Sequence, residues 1–286
     1  MTGQRDPLER IAAALERLAG GSEAQVDWLN GVAFLWSEAE VRSIGRIDAP
    51  ALAMLKGIDA AKAAVAQNVL RLADGTIAHD MLLWGARGMG KSALLRAAVA
   101  EAQCGRPEAL ALVQVAPDAL SGLPTLFDRL SRVDRRFLVF IDDLGFDETD
   151  SEGPRLLRSW LEGGVQARPA NVRLAVTANR RAIVPRHLSE QDDPVNPRDA
   201  IDDRLALADR FGLALGFHAC SQEDYLAIVG AYAEAAGLAW QEAEALEWAK
   251  RRGARSGRVA YQFVTEVAGR QGLSPEQLRA AYSSTT

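Results

Sequence analysis

The sequence predicts an α/β fold, with a parallel five-stranded sheet covered by helices and a small all-helical domain after it. Three observations carry this. Five short apolar runs, Met81–Trp84, Leu110–Val115, Phe137–Ile141, Arg173–Ala178 and Leu213–Phe217, recur at intervals suited to strand–helix units. Helical patterns fill the gaps between them. After Ala219 the strand signals stop, and residues 221–236, 239–252, 257–270 and 274–282 all show helical periodicity.

Length and composition agree with that outline. A chain of 286 residues holds one large domain, or a large one with a small one. With 48% hydrophobic and 25% charged residues it reads as an ordinary globular protein, not a disordered one. A formal net charge of -5 does not favour a dedicated nucleic-acid binder. Cys104 and Cys220 stand far apart, without metal-ligand spacing, and read as reduced thiols. The opening MTGQRDPLERI lacks an apolar signal core, and no apolar run reaches the length of a membrane span. The expectation is a cytoplasmic protein without a membrane partner.

Taken in order, residues 7–19 put Leu8, Ile11, Leu15 and Leu18 on one helical face, and Gly20 with Gly21 interrupt it. Residues 22–44 read as a second helix carrying Trp28, Leu29, Val32, Leu35 and Trp36. The expected domains are a helical segment over 1–45, the α/β domain over 46–219 and a helical lid over 220–286. Within the lid, Ser274-Pro275-Glu276-Gln277 is a helix start, with serine as cap and glutamine reaching back.

The strongest chemical signal is the run Gly85, Ala86, Arg87, Gly88, Met89, Gly90, Lys91, Ser92, of the form G-x-x-x-x-G-K-S, with Ala93 beginning the helix behind it. Such a loop wraps phosphates with backbone N–H groups, which bulky side chains would obstruct. Lys91 is placed to reach the β and γ phosphates, and the Ser92 hydroxyl to hold Mg²⁺. Lysine occurs at only Lys56, Lys62, Lys91 and Lys250, so a chance match is improbable. The second signal, Phe137-Leu-Val-Phe-Ile-Asp142-Asp143, is an apolar strand ending in two acids. Asp142 would complete the Mg²⁺ shell, and Asp143 would orient the attacking water. The cofactors expected are ATP and Mg²⁺.

These motifs in this order resemble the AAA+ P-loop ATPases. In detail, LLWGARGMGKSALLRA, FIDDLGFDE, LRSWLEGGVQARPANVRLAVTANRR, LADRFGLALGF and SGRVAYQFV resemble a bacterial family catalogued as domain of unknown function 815. The resemblance implies a sensor role for Asn179 at a strand end. It implies an arginine finger at Arg210, acting on a neighbouring subunit, and a second sensor at Arg258, with Arg255 as the near alternative. Gly57-Ile58-Asp59 resembles the segment that packs on adenine. Many AAA+ members carry glutamate where this chain has Asp143. Aspartate is one methylene shorter, and a misplacement of about 1 Å can cost about 10²-fold in rate. Slow hydrolysis is therefore expected. Glu148 and Glu162 are conceivable helpers that no motif selects.

The functional expectation is a Mg-dependent ATPase working at subunit interfaces of a homo-oligomer. The alternative is a slowly hydrolysing switch or loader that grips a protein or DNA partner, with residues 7–44 as the docking element. For DNA the candidates are Arg180, Arg181 and Arg186, which read more simply as a solvated basic face. The segment PDALSGLPTLFDRL lacks an aromatic-apolar-glycine pore loop, which argues against a protein-unfolding motor.

Overall fold

A computed structural model describes residues 26–37, 40–145, 157–161, 168–179 and 208–282. Among the described residues seven strands form one sheet in the order β2-β1-β4-β5-β6-β3-β7. They are β1 (Ala33–Trp36), β2 (Val41–Ile44), β3 (Met81–Gly85), β4 (Leu110–Val115), β5 (Arg136–Ile141), β6 (Val172–Ala178) and β7 (Leu213–Phe217). All pairs are parallel except β1 with β2. Each of the five predicted strands is present to within one residue.

Two strands were not expected. The segment read as a second helix is instead, over Ala33–Ile44, a hairpin added to the edge of β4. Helical spacing of Trp28, Leu29, Val32, Leu35 and Trp36 is matched by chance. The pull of an open sheet edge decides the outcome. Ser37 closes the turn, its N–H donating to the Glu40 carbonyl at 3.1 Å and its hydroxyl accepting from the Glu40 N–H at 3.2 Å. The α/β unit therefore begins well before residue 46.

Helices cover both faces. α1 (Asp59–Ala73) and α2 (Lys91–Ala102) pack Val65, Val69, Leu94, Leu95 and Val99 against Met81, Leu83, Leu112, Leu138 and Phe140. On the other face, α3 (Leu123–Ser131) packs Leu126, Phe127 and Leu130 against Val113, Phe137, Val139 and Val176. Successive strand residues point to opposite faces, and both faces are covered, so the central strands are mostly apolar.

The lid comprises α4 (Gln222–Ala235), α5 (Glu242–Arg252), α6 (Gly257–Arg270) and α7 (Pro275–Tyr282), around its own core of Tyr225, Val229, Ala245, Phe263 and Val264. Serines start three of these helices. Ser221 forms a capping box with Asp224, Ser256 accepts from the Val259 N–H at 3.2 Å, and Ser274 accepts from the Gln277 N–H at 3.2 Å. The Gln277 side chain reaches back to the Ser274 N–H at 2.7 Å, as its spacing predicts. No helix among the described residues is long and apolar enough to cross a membrane.

The two thiols differ sharply. Cys104 is exposed, whereas Cys220 is buried in the lid core. Burial, with Asp224 nearby, pushes the Cys220 thiol up to about 11. Thiolate is the reactive form. A disulfide reagent at pH 8 is therefore expected to consume one thiol of the native protein rapidly, and Cys104→Ser should remove that phase. Two equal fast phases would show that the lid core opens readily.

Candidate functional site

The glycine-rich loop lies between β3 and α2. Gly85 ends β3 at φ 125°, where an added Cβ would lie 2.1 Å from the Phe217 carbonyl oxygen. That oxygen accepts the Ala86 N–H at 2.8 Å, so the end of β7 seats the loop. Gly88 and Gly90 follow at φ 75° and 84°. An added Cβ at Gly88 would meet Ser256 Oγ at 2.9 Å and Arg258 Cβ at 3.1 Å. The Arg258 N–H donates to the Gly88 carbonyl at 3.1 Å. The loop thus touches the first turn of α6 directly. Met89 packs against both the sheet core and the lid core.

Lys91 begins α2 and is buried. Its ammonium donates to the carbonyls of Gly85 and Ala86, each at 2.8 Å. Burial lowers its proton affinity most; Asp143 and Asp142 act against this, while Arg258 and Arg87 add to it. An ammonium has three donors, so two serve the loop and one is left for an anion.

Asp142 and Asp143 follow the last residue of β5. Asp142 Oδ1 accepts from Ser92 Oγ at 2.5 Å and from Thr177 Oγ at 2.6 Å. The Asp143 N–H donates to Thr177 Oγ at 2.8 Å. Among the described residues Asp143 is the one non-glycine with positive φ, at 54°. Such backbone costs about 1 kcal/mol or more and is held in place by its surroundings. The Asn179 side-chain amide donates to Asp143 Oδ1.

A cavity of about 990 Å³ runs from this cluster toward the lid. Arg87 to Ala93, Asp142, Asp143, Thr177, Asn179 and Arg258 line its polar end. Met54, Leu55, Ile58, Ile228, Tyr232, Tyr261 and Tyr282 give it an aromatic end, and Asp48, Lys56, Arg96 and Arg279 also line the cavity. The Tyr282 hydroxyl, buried and without a hydrogen-bond partner among the described residues, adds one polar group there. A charged end joined to an aromatic end suits a nucleotide's phosphates and base.

The predicted residues fall into three groups. Arg87 to Ala93, Asp142, Asp143, Asn179 and Arg258 come together around the cavity, and Gly85 with Ala86 hold Lys91 from behind. Of the two second-sensor candidates, Arg258 lines the cavity, while Arg255 donates to Gln222 Oε1 at 3.5 Å. Of Gly57-Ile58-Asp59 only Ile58 reaches the cavity, and Asp59 pairs with Lys62 at 2.7 Å. Arg210 lies just before β7 and does not line this cavity. Glu148, Glu162, Arg180, Arg181 and Arg186 lie outside the described residues.

Sequence reasoning missed Thr177. Strand alternation puts it on the same side of β6 as Asn179, a usable signal. It also missed Tyr232, Tyr261 and Tyr282, whose rings sit 4.9–5.8 Å apart. They come from three different helices, so no local pattern links them.

The donor set suits Mg²⁺: the Ser92 hydroxyl and the Asp142 carboxylate converge as hard oxygen ligands. Among the described residues no group of three or more His, Cys, Asp or Glu side chains could hold a metal. A divalent ion here would therefore need further oxygens, of the kind phosphates supply.

The sheet, loop and lid have the fold of the AAA+ P-loop proteins. Residues 30–271 match the family described as "Protein of unknown function (DUF815)", and the chain belongs to that family. No curated protein matches it. Among solved structures it is similar to a Thermotoga maritima RuvB, described as a Holliday junction branch migration motor. That match has 16% identity and a TM-score of 0.51, covering 82% of this chain and 72% of the other. It is also similar to the Aeropyrum pernix ORC2 protein in ADPNP–ADP complexes, at 18% identity and a TM-score of 0.50, covering 80% and 68%. The A. pernix ORC1 protein in complex with DNA matches at 16% identity and a TM-score of 0.50, covering 79% and 65%. At these identities the likeness is one of fold.

Proposed function

We propose that this chain binds Mg·ATP between the loop and the lid and hydrolyses it slowly at subunit interfaces of a homo-oligomer. One observation carries the reading: Ser92 of the loop and Asp142 just past β5, 50 residues apart, meet at 2.5 Å beside the buried ammonium of Lys91. That is the arrangement phosphoryl transfer needs.

In this reading the loop N–H groups hold the phosphates, and Lys91 offsets their charge. Ser92 and Asp142 would hold Mg²⁺, which supplies further charge neutralisation across the phosphate oxygens when bound. Asp143 orients water for in-line attack on the γ-phosphate and takes up its proton. Asn179 steadies that carboxylate without adding charge. Arg258 approaches from the lid, and Arg210 serves the site of a neighbouring subunit. Its position away from this chain's own cavity supports action in trans.

Two measurements test this. Specific ATPase activity is expected to rise with protein concentration. Lys91→Ala and Arg210→Ala, each inactive alone, are expected to regain part of the activity on mixing. A mixed oligomer holds some interfaces with an intact Lys91 facing an intact Arg210, and an arginine finger is worth about 10³–10⁵ in rate. Activity that is flat across dilution, with no recovery on mixing, would remove Arg210 from the site.

A second reading has its own support. The Asn179 amide engages the Asp143 carboxylate, whose backbone sits at φ 54°. An occupied water-orienting group suits a switch or loader that binds ATP and turns it over poorly until a protein or DNA partner acts. The neighbours described with DNA and as a branch migration motor keep DNA among those partners. Tight ATP binding with negligible turnover at every concentration would put this reading first.

A further inference from the structure

We propose that Thr177 is the positioning residue that sets Asp142 and Asp143 relative to each other, and through them the Mg²⁺-dependent part of nucleotide binding. The inference rests on the Mg·ATP reading above.

The backbone ladder between β5 and β6 ends at the pair Ile141 and Val176. Asp142 and Asp143 lie beyond it, so strand pairing does not place them. Thr177 takes over that task. Its carbonyl accepts the Leu144 N–H at 2.8 Å. Its hydroxyl donates to Asp142 Oδ1 at 2.6 Å and accepts from the Asp143 N–H at 2.8 Å. Residues 142, 143 and 144 are thus each fastened to this one threonine.

The direction of these bonds is dictated by their partners. A hydroxyl has one proton to donate. An N–H can only donate, so the hydroxyl's proton goes to the carboxylate. Thr177 is 1% exposed, so solvent does not compete for either bond. Ser92 Oγ also donates to Asp142 Oδ1. When the Ser92 hydroxyl turns to a cation, Thr177 remains as the donor that keeps the carboxylate oriented. Groups that orient a metal-binding carboxylate control its affinity. The N–H bond also holds Asp143 in its left-handed backbone, which sets its carboxylate beside Asn179.

Valine has the shape of threonine without the hydroxyl, and serine keeps the hydroxyl without the methyl. The test uses the full chain as wild type, Thr177→Val and Thr177→Ser. Affinity for a fluorescent ATP analogue is measured in EDTA and in Mg²⁺, beside single-turnover hydrolysis and a thermal melt. Thr177→Val is expected to lose about 10–100-fold in the Mg²⁺-dependent gain in affinity and in turnover. Its affinity in EDTA should stay within about threefold of wild type, and Thr177→Ser should recover most of the loss. A Thr177→Val protein that matches wild type in Mg²⁺ and in turnover overturns the proposal and leaves the ATP reading standing. So does an equal loss in EDTA and Mg²⁺ that serine fails to repair. Should Thr177→Val give no cooperative melt, Thr177→Ala carries the same comparison. Wild type that binds no ATP in either condition sinks the Mg·ATP reading itself.

Discussion

Replacing Lys91 with alanine is expected to abolish nucleotide-dependent activity while leaving the fold intact. The ammonium is the buried cation of the loop, held by the Gly85 and Ala86 carbonyls. Losing a pre-organised donor to developing phosphate charge costs about 10²–10³-fold or more in rate. The same ammonium sits in a site that disfavours its charge, through burial and through Arg258 and Arg87. Removing it relieves that penalty, which offsets the loss of two hydrogen bonds to carbonyls near the cavity. The melting midpoint without nucleotide is therefore expected to stay within about 3 °C of wild type. The shift that ATP gives the wild type should vanish. Calorimetric melts with and without Mg·ATP check both halves. A large drop in the nucleotide-free midpoint would mean that Lys91 is a structural brace.

The second large effect is on stability. Arg135 is 4% exposed, and burial lowers its proton affinity, with Glu108 and Asp27 acting against this. Its guanidinium donates to the Trp28, Gly31 and Leu110 carbonyls at 2.8, 2.6 and 3.1 Å, and to that of Pro107. Arg135→Ala leaves four carbonyls without this partner, and a loss of about 3–5 kcal/mol in urea unfolding is expected. Arg135→Lys should recover less than half, because a point charge cannot span the same fan of acceptors. Hydrogen exchange should quicken first in β1 and β2, since Trp28 and Gly31 lead into them. Arg135 precedes β5 and Asp142 follows it, so nucleotide affinity of the folded protein should change less than about threefold. A stability loss under about 1 kcal/mol would mean that water replaces the guanidinium.

Some of this was readable in the chain and some was not, for physical reasons. The strands β3 to β6 lie inside the sheet with both faces largely covered, so each is a mostly apolar run that stands out locally, and β7 at the edge keeps the short run LALGF. The β1–β2 hairpin is a different case. AFLW is a four-residue apolar run without alternation, too short to outweigh a helical spacing shared with Trp28 and Val32. What decides is the edge of β4 and the Arg135 fan, whose contact with Trp28 spans 107 residues of sequence. In the site, the loop and the two aspartates are contiguous motifs and therefore legible. That Arg258 rather than Arg255 lines the cavity follows from Ser256, whose cap puts Arg258 in the first turn of α6 against Gly88. Thr177 was half-legible, because alternation puts it on the side of Asn179 but does not tell that its hydroxyl meets the end of the neighbouring strand. The three tyrosines were hidden because only the packing of α4, α6 and α7 brings them together.

The contact between Gly88 and α6 bears on how such a chain tolerates change. The bond from the Arg258 N–H to the Gly88 carbonyl is main chain to main chain, so no side-chain replacement at position 258 other than proline removes its donor. Position 88 itself is different. Its φ of 75° already disfavours any other residue, and a Cβ there would meet Ser256 and Arg258 at 2.9 and 3.1 Å. Sequence drift around the cavity can therefore alter charge and fit while the register of lid on loop persists, and a single methyl at residue 88 is the smallest change that would push the two apart.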